Sequence, residues 1–231
     1  MAGETVRAEA VCLGIHPWSK TSHIVSWLTP AGRVATVVKG AVRPKSAFLG
    51  QYDLNYTCEI VYYARERGDL HVLREAAPLV RRDGLRESYR ALVLAEYFRL
   101  LAAELAPSGP EARGWFELLA GSLDRLADTR TGTVAGLLEY ELAALDLAGL
   151  APDFAAEKGR LTLRGERAIP VSDAVARCCR DPAGEKNLQI LLDAARVIGV
   201  FYSFHLDCAP EVRRTVLGLI SKQGQQGKEP K

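Results

Sequence analysis

Lys39, Arg43 and Lys45 fall within the eight-residue run KGAVRPKS, Lys39 to Ser46. Cations fixed on a short loop can hold the oxygens of an anion, and phosphate suits them best. Gly40 permits a close backbone approach or an unusual φ, and Pro44 stiffens the loop. The run is not a Walker A loop: that motif needs Gly immediately before its Lys, and Pro44 stands there. Nucleoside triphosphate binding by such a loop is therefore excluded. Taken alone, the run suits a solvated basic loop equally well. Its surroundings shift the balance. From Ala10 to Tyr52 there is no Asp or Glu, although the stretch carries Lys20, Arg33, Lys39, Arg43 and Lys45 with His16 and His23. With 28 acidic residues in the chain, a proportional share would be about 5. A folded segment that gathers cations repels itself unless an anionic partner offsets the charge. Nucleic acid is the default partner. The net charge is only +2, so the positive charge is regional.

Arg65 and Arg67 flank the tip of a further predicted hairpin, where Glu66 and Asp69 dilute the charge. Trp18, Trp27, Tyr52, Tyr56, Tyr62 and Tyr63 are available for base stacking. Tyr62 and Tyr63 are strand neighbours, so they point to opposite faces. Catalysis finds little support. His16, His23, His71 and His205 lack metal-ligand spacing, and no G-x-S-x-G elbow is present. Glu139 and Glu141 are two apart on a predicted helix and face different ways. Asp124 and Asp128 share a helical face and read as surface decoration. The five cysteines, Cys12, Cys58, Cys178, Cys179 and Cys208, read as free thiols. Adjacent Cys178 and Cys179 are poorly placed to share one tetrahedral zinc. No enzyme, cofactor or metal is expected.

The elements that must position these residues follow from the pattern. Val6–Ile15, Thr21–Leu28, Arg33–Lys39, Leu54–Ala64 and Leu70–Ala76 read as strands, with Thr29-Pro30-Ala31-Gly32 as a turn. Five strands with a longer break after the third suit a small barrel. The oligonucleotide-binding (OB) barrel is the obvious candidate, and an SH3-like barrel is the alternative. After Arg82 the period becomes helical: Leu85, Tyr89, Leu92, Val93, Glu96, Tyr97 and Leu100 share one face. Helices are predicted next over about 111–127 and 134–148, with Gly149 and Pro152 closing the latter. Residues 160–169 suggest a small hairpin. Ser172 and Asp173 cap a short helix to Cys179, and residues 187–200 and 210–221 are the last helices. The fold class is α+β: a barrel over 1–81, then a helical domain over 82–221 with a small irregular insert at 155–185. A disordered tail is expected over 222–231. The N-terminus lacks a secretory pattern and no apolar run is long enough to span a membrane, so a cytoplasmic chain is expected.

The run WSKTSHIVSWLTPAGRVATVVKGAVRPKS, followed by LHVLREA, resembles the N-terminal domain of the RecO family of bacterial DNA repair proteins. The matching positions are Ser22, Thr29, Pro30, Gly32, Arg33, Lys39, Gly40, Arg43, Lys45 and Ser46. LEYELAALDLAGLAPDF is similar to the family's helix ending in L-G-x-x-P-D-L, and YSFHLDCAPEVRRTVL is a weaker echo. Many members carry two C-x-x-C pairs after that segment, forming a structural zinc site. Here Phe154 is followed by AAEK, so no zinc is expected.

The resemblance implies an OB domain followed by a helical domain. It implies binding of single- and double-stranded DNA and annealing of complementary strands. It also implies partnership with RecR, with the acidic tail of the single-stranded DNA-binding protein and, indirectly, with RecA. Lys20, Arg33, Lys39, Arg43, Lys45, Arg65 and Arg67 are the expected DNA contacts. An RNA-binding, ribosome-associated barrel is the rival reading. A scaffold docking an acidic protein partner is another. A nucleic-acid enzyme would need a carboxylate cluster, which the acid-free stretch cannot supply.

Overall fold

A computed structural model describes residues 4–65, 68–153, 160–162, 168–205 and 210–224. Five strands close into a barrel: β1 (Thr5–Pro17), β2 (His23–Thr29), β3 (Gly32–Val38), β4 (Thr57–Tyr63) and β5 (Leu70–Val80), in the order β1-β2-β3-β5-β4. β1 serves two neighbours. Its first half pairs with β4, from Thr5 opposite Tyr63 to Val11 opposite Thr57, and its second half pairs with β2, ending at Pro17 opposite His23. The register slips between Cys12 and Gly14, and such a bulge bends a strand so that it can turn from one partner to the next. β3 and β5 run parallel and close the barrel, with Ala35 opposite Leu70. The expected five-stranded OB-type barrel is therefore observed.

The strands' β-branched and aromatic residues fill the interior. Val25, Trp27, Val38, Tyr56, Cys58, Ile60 and Leu73 form the core with Ala10 and Cys12. Trp27 is fully buried, and its indole N–H donates to Thr36 Oγ1 at 2.9 Å, which meets the donor's need away from water. The β3–β4 connection is a succession of turns, with Ser46 N–H donating to Arg43 O (2.9 Å) and Gln51 N–H to Phe48 O (3.1 Å).

A single-turn 3-10 segment (Asp83–Glu87) precedes α1 (Tyr89–Leu105), α2 (Ala112–Thr129) and α3 (Val134–Leu147). A two-stranded β6 (Arg160–Thr162) and β7 (Ala168–Pro170) follow, then α4 (Asp173–Arg180), α5 (Leu188–His205) and α6 (Pro210–Ile220). The predicted ends hold. Thr133 Oγ1 caps α3 by accepting from Gly136 N–H at 3.0 Å, and Gly149 takes φ +69° just past its end. Ser172 Oγ accepts from Val175 N–H at 3.3 Å at the start of α4. The predicted disordered tail starts too early, since Ser221–Gly224 form a 3-10 turn after α6, and its remainder lies outside the described residues, as do residues 155–159 and 163–167 of the predicted insert.

One expectation fails in phase. On α1 the buried residues are Ala91, Leu94, Ala95, Tyr97, Phe98, Arg99, Leu101 and Ala102, whereas Tyr89 and Leu92 are exposed. The helix is where the period put it, but its inner face mixes alanines with Leu94, Tyr97, Phe98 and Leu101, and leaves Tyr89 and Leu92 outside.

The chain divides into two compact units that are not consecutive: residues 1–84 with 102–128, and residues 85–101 with 129–231. In the first unit the barrel is fastened to the segment 102–128 at two places. Gly32 takes φ +136°, and a β-carbon there would stand 2.6 Å from Ser108 O. Beside it, Arg33 Nη1 donates to Ala103 O at 2.6 Å. Beyond β5, the Arg82 guanidinium is buried. It donates to Asn55 O (2.7 Å) and Thr57 Oγ1 (2.9 Å) on the barrel, and to Asp124 Oδ1 (2.8 Å) and Ala120 O (3.3 Å) on α2. Burial lowers the Arg82 pKa from the ordinary arginine value, and the charge of Asp124 opposes that shift. Asp124 is thus a structural partner and not the surface decoration that its spacing suggested.

In the second unit Glu141 on α3 is completely buried. Arg213 on α6 holds both of its carboxylate oxygens, Nε to Oε1 at 2.6 Å and Nη2 to Oε2 at 2.8 Å, and Nη2 also donates to Ala195 O on α5. Tyr97 on α1 donates its hydroxyl to Oε1 at 2.6 Å, and the Tyr202 hydroxyl donates to the backbone oxygen of Glu141 at 2.9 Å. Gly199 lets the guanidinium in, since a β-carbon there would lie 2.4 Å from Arg213 Nη1. Phe98 and Tyr140 stack with ring centroids 3.8 Å apart. As their spacing predicts, Glu139 and Glu141 face different ways; the buried one is a structural centre.

Candidate nucleic-acid interface

The strand register sorts the expected cations by barrel end. Pro17 stands opposite His23 and His23 opposite Val38, so the β1–β2 turn (18–22) and the start of the β3–β4 connection leave the same end of the barrel. Lys20, Lys39, Arg43 and Lys45 lie there, and all four are exposed. Among the described residues none of the four has an ion-pair partner. Hydrogen bonds tie the two loops together. Ser22 Oγ accepts from Gly40 N–H at 3.3 Å, and Thr21 O accepts from Val42 N–H at 3.3 Å. Gly40 adopts φ +69°, which places its amide toward Ser22 and lets the Arg43 side chain pass close over its α-carbon. Arg43 N–H then closes a turn on Gly40 O at 3.1 Å. The result is one continuous basic corner, with its cations carried on loops held to a closed barrel.

The remaining expected contacts are not on these two loops. Arg33 stands at the far end of β3, beside the Thr29–Gly32 turn, with its guanidinium on Ala103 O. Arg65 is exposed after β4, and its N–H donates to His71 Nδ1 at 3.1 Å. By register that connection adjoins β1, where Thr5 stands opposite Tyr63, and also β3, where Thr36 stands opposite His71 and Val37 opposite Val72. Arg67 lies outside the described residues.

Exposure separates the aromatic candidates. Trp27, Tyr56 and Tyr62 are buried, and Tyr62 stacks on His71. Tyr52 shares a 3.0 Å hydrogen bond with His23 Nδ1 and meets Trp27 edge-on. Burial, helped by the nearby Cys12, pushes its phenol up to about 12, so it stays neutral. Trp18, 62% exposed, sits on the β1–β2 turn of the basic corner, while Tyr63, 38% exposed, ends β4 under the Arg74 guanidinium. Sequence reasoning missed Thr21 and Ser22 as the residues that join the two basic loops. Their signal was present in the motif itself, where Ser22 is a matched position without a charge to explain it.

Together, a five-stranded OB-type barrel with one basic corner and a helical unit after it define a nucleic-acid-binding class of architecture. Residues 1–80 match the recombination protein O N-terminal domain family, and residues 86–222 match its C-terminal counterpart. The chain belongs to the recombination protein O family, and its function lies in DNA repair and recombination. It is similar to the DNA repair protein RecO of Roseiflexus sp. (strain RS-1), 28% identical over 218 residues that cover 92% of this chain and 75% of the relative. It is also similar to the DNA repair protein RecO of Salinibacter ruber, 28% identical over 151 residues, covering 64% of this chain and 57% of that one. Among the described residues no helix is long and apolar enough to cross a membrane, and no group of three or more His, Cys, Asp or Glu could hold a metal ion.

Proposed function

We propose that this chain is a recombination mediator. Its barrel binds single- and double-stranded DNA through Lys20, Lys39, Arg43 and Lys45, anneals complementary strands and, with RecR, helps RecA replace the single-strand-binding protein. The observation that carries this reading is the basic corner: four exposed cations on two hydrogen-bonded loops, in a stretch without a carboxylate. Lysine and arginine at such a corner neutralise backbone phosphates and release counterions, which makes binding salt-dependent and nearly independent of sequence. Neutralising one strand while leaving its bases reachable lowers the repulsion met by a second strand, which is what annealing requires. Arg65 and Arg67 are proposed as peripheral contacts. The helical domain is the proposed docking surface for the acidic tail of the single-strand-binding protein and for RecR.

The test is annealing of two complementary oligonucleotides coated with the cognate single-strand-binding protein. Acceleration by the chain, lost in a Lys39→Ala/Arg43→Ala/Lys45→Ala variant, supports the reading. A variant that binds and anneals like the parent overturns the assignment of the corner. Tighter binding to RNA than to DNA of equal sequence would point to the ribosome-associated alternative.

A further inference from the structure

We infer that Trp18 is the base-stacking platform of the basic corner and the residue that makes the corner prefer unpaired strands to duplex. The inference rests on the proposed DNA-binding function and adds to it the element that reads bases.

The chain has three tryptophans. Trp27 and Trp115 are buried, and Trp18 is largely open to solvent. A turn presents it: Trp18 N–H donates to Ser22 O at 2.9 Å, Ser19 N–H to the same oxygen at 3.3 Å, and Thr21 N–H to Ser19 Oγ at 3.4 Å. The same turn carries Lys20 and is bonded through Thr21 and Ser22 to the loop with Lys39, Arg43 and Lys45. An indole and the phosphate-holding cations therefore stand on one fixed corner. Competing aromatics are accounted for. Trp27 is engaged with Thr36, Tyr52 with His23, and Tyr62 with His71. Tyr63 is less exposed than Trp18 and lies under the Arg74 guanidinium.

The chemistry separates two kinds of strand. Cations reach the phosphates of single strands and duplexes alike. An indole reaches the face of a base only where that base is unstacked from its neighbours, because in a duplex both faces are covered. Stacking on an aromatic side chain contributes about 1–3 kcal/mol per base and is indifferent to sequence. Trp18 therefore adds affinity for single strands and leaves duplex affinity to the cations.

The experiment compares the full-length parent with Trp18→Ala and Trp18→Phe, binding oligothymidylate and a duplex of equal length across a salt series. Thermal unfolding confirms that each variant folds. The expected result for Trp18→Ala is a loss of about tenfold or more on the single strand, little change on the duplex, and an unchanged salt slope, since no cation is removed. Trp18→Phe keeps most of the single-strand affinity. In the parent, single-stranded DNA quenches the emission of the exposed tryptophan; in Trp18→Phe the quenching disappears although DNA still binds. Equal losses on both DNAs, or no loss on either, overturn the inference while leaving the DNA-binding function standing. A parent that binds neither DNA at low salt overturns both.

Discussion

The α-carbon of Gly32 lies so close to Ser108 that a β-carbon would meet its carbonyl oxygen at 2.6 Å, at a backbone φ of +136° that L side chains rarely adopt. The Thr29–Gly32 turn is thereby a seat for the backbone between α1 and α2. Thr29 Oγ1 holds the turn from within, donating to Gly32 O at 2.8 Å and accepting from Ala31 N–H at 3.2 Å. Gly32→Ala meets both a steric and a conformational penalty, and the neighbour that must yield is backbone. We expect a loss of about 2 kcal/mol or more, read as a lowered denaturation midpoint.

Arg33 belongs to the same seat. Arg33→Ala removes the donor to Ala103 O, costing about 1 kcal/mol of stability, while the affinity of the folded protein for single-stranded DNA stays near the parent's. Lys39→Ala is expected to show the reverse pattern. Equal DNA-affinity losses in the two variants would return Arg33 to the DNA contacts.

The buried Glu141 carboxylate depends on Arg213. Arg213→Met leaves a charge at a position with no access to water, with Tyr97 as its remaining side-chain donor. The expected cost is about 3–5 kcal/mol by urea denaturation. Tyr97→Phe removes one hydrogen bond to a charged group and is expected to cost about 1.5–3 kcal/mol.

Stability should fall at alkaline pH. Burial pushes the Cys58 and Cys179 thiols up to about 12 and Cys178 to about 11, from an ordinary value of 9.0. Burial raises Tyr52 to about 12 as well. The neutral forms are favoured in the folded state, so their stabilisation is fully present below the unfolded pKa. Above it the unfolded chain releases protons that the folded chain retains, and stability declines as pH rises toward the folded values. Denaturation midpoints under reducing conditions, taken between about pH 8 and about pH 11, should fall steadily. A flat profile would mean that these groups are exposed in solution.

The basic corner predicts its own salt dependence. Each cation removed from a single-strand site lowers the slope of log affinity against log salt by about 0.7. The Lys39→Ala/Arg43→Ala/Lys45→Ala variant should therefore lose about 2 from the magnitude of that slope. An unchanged slope would place the phosphate contacts elsewhere.

The barrel was legible because its strands carry a local signal: β-branched and aromatic runs broken by Thr29-Pro30-Ala31-Gly32 and by the Gly68-containing turn. Helix ends were legible at Thr133, Gly149 and Ser172, where a single residue type satisfies a single backbone need. The face of α1 was not. Ala91, Ala95 and Ala102 are buried, but a pattern weighted by large side chains chooses Tyr89 and Leu92 instead. Nor could the sequence pair Glu141 with Arg213 or Arg82 with Asp124, since no local rule links residues so far apart. In the candidate site, charge and its missing carboxylates identified the basic corner. Only the strand register sets Arg33, at the far end of β3, away from Lys39 in space.

The interleaving of the two compact units bears on how the protein is made. The strands of the barrel emerge first from the ribosome, yet Asp124, which completes the shell around the Arg82 guanidinium, follows 42 residues later. The seat at Gly32 likewise waits for Ser108. A nascent chain that has just finished β5 therefore lacks the α2 half of the Arg82 contacts and the backbone that rests on Gly32. A protease cut between β5 and α2 leaves the two parts of that unit joined only by their contacts. Boundaries drawn along the chain at residue 81 sever a unit that the folded molecule treats as whole.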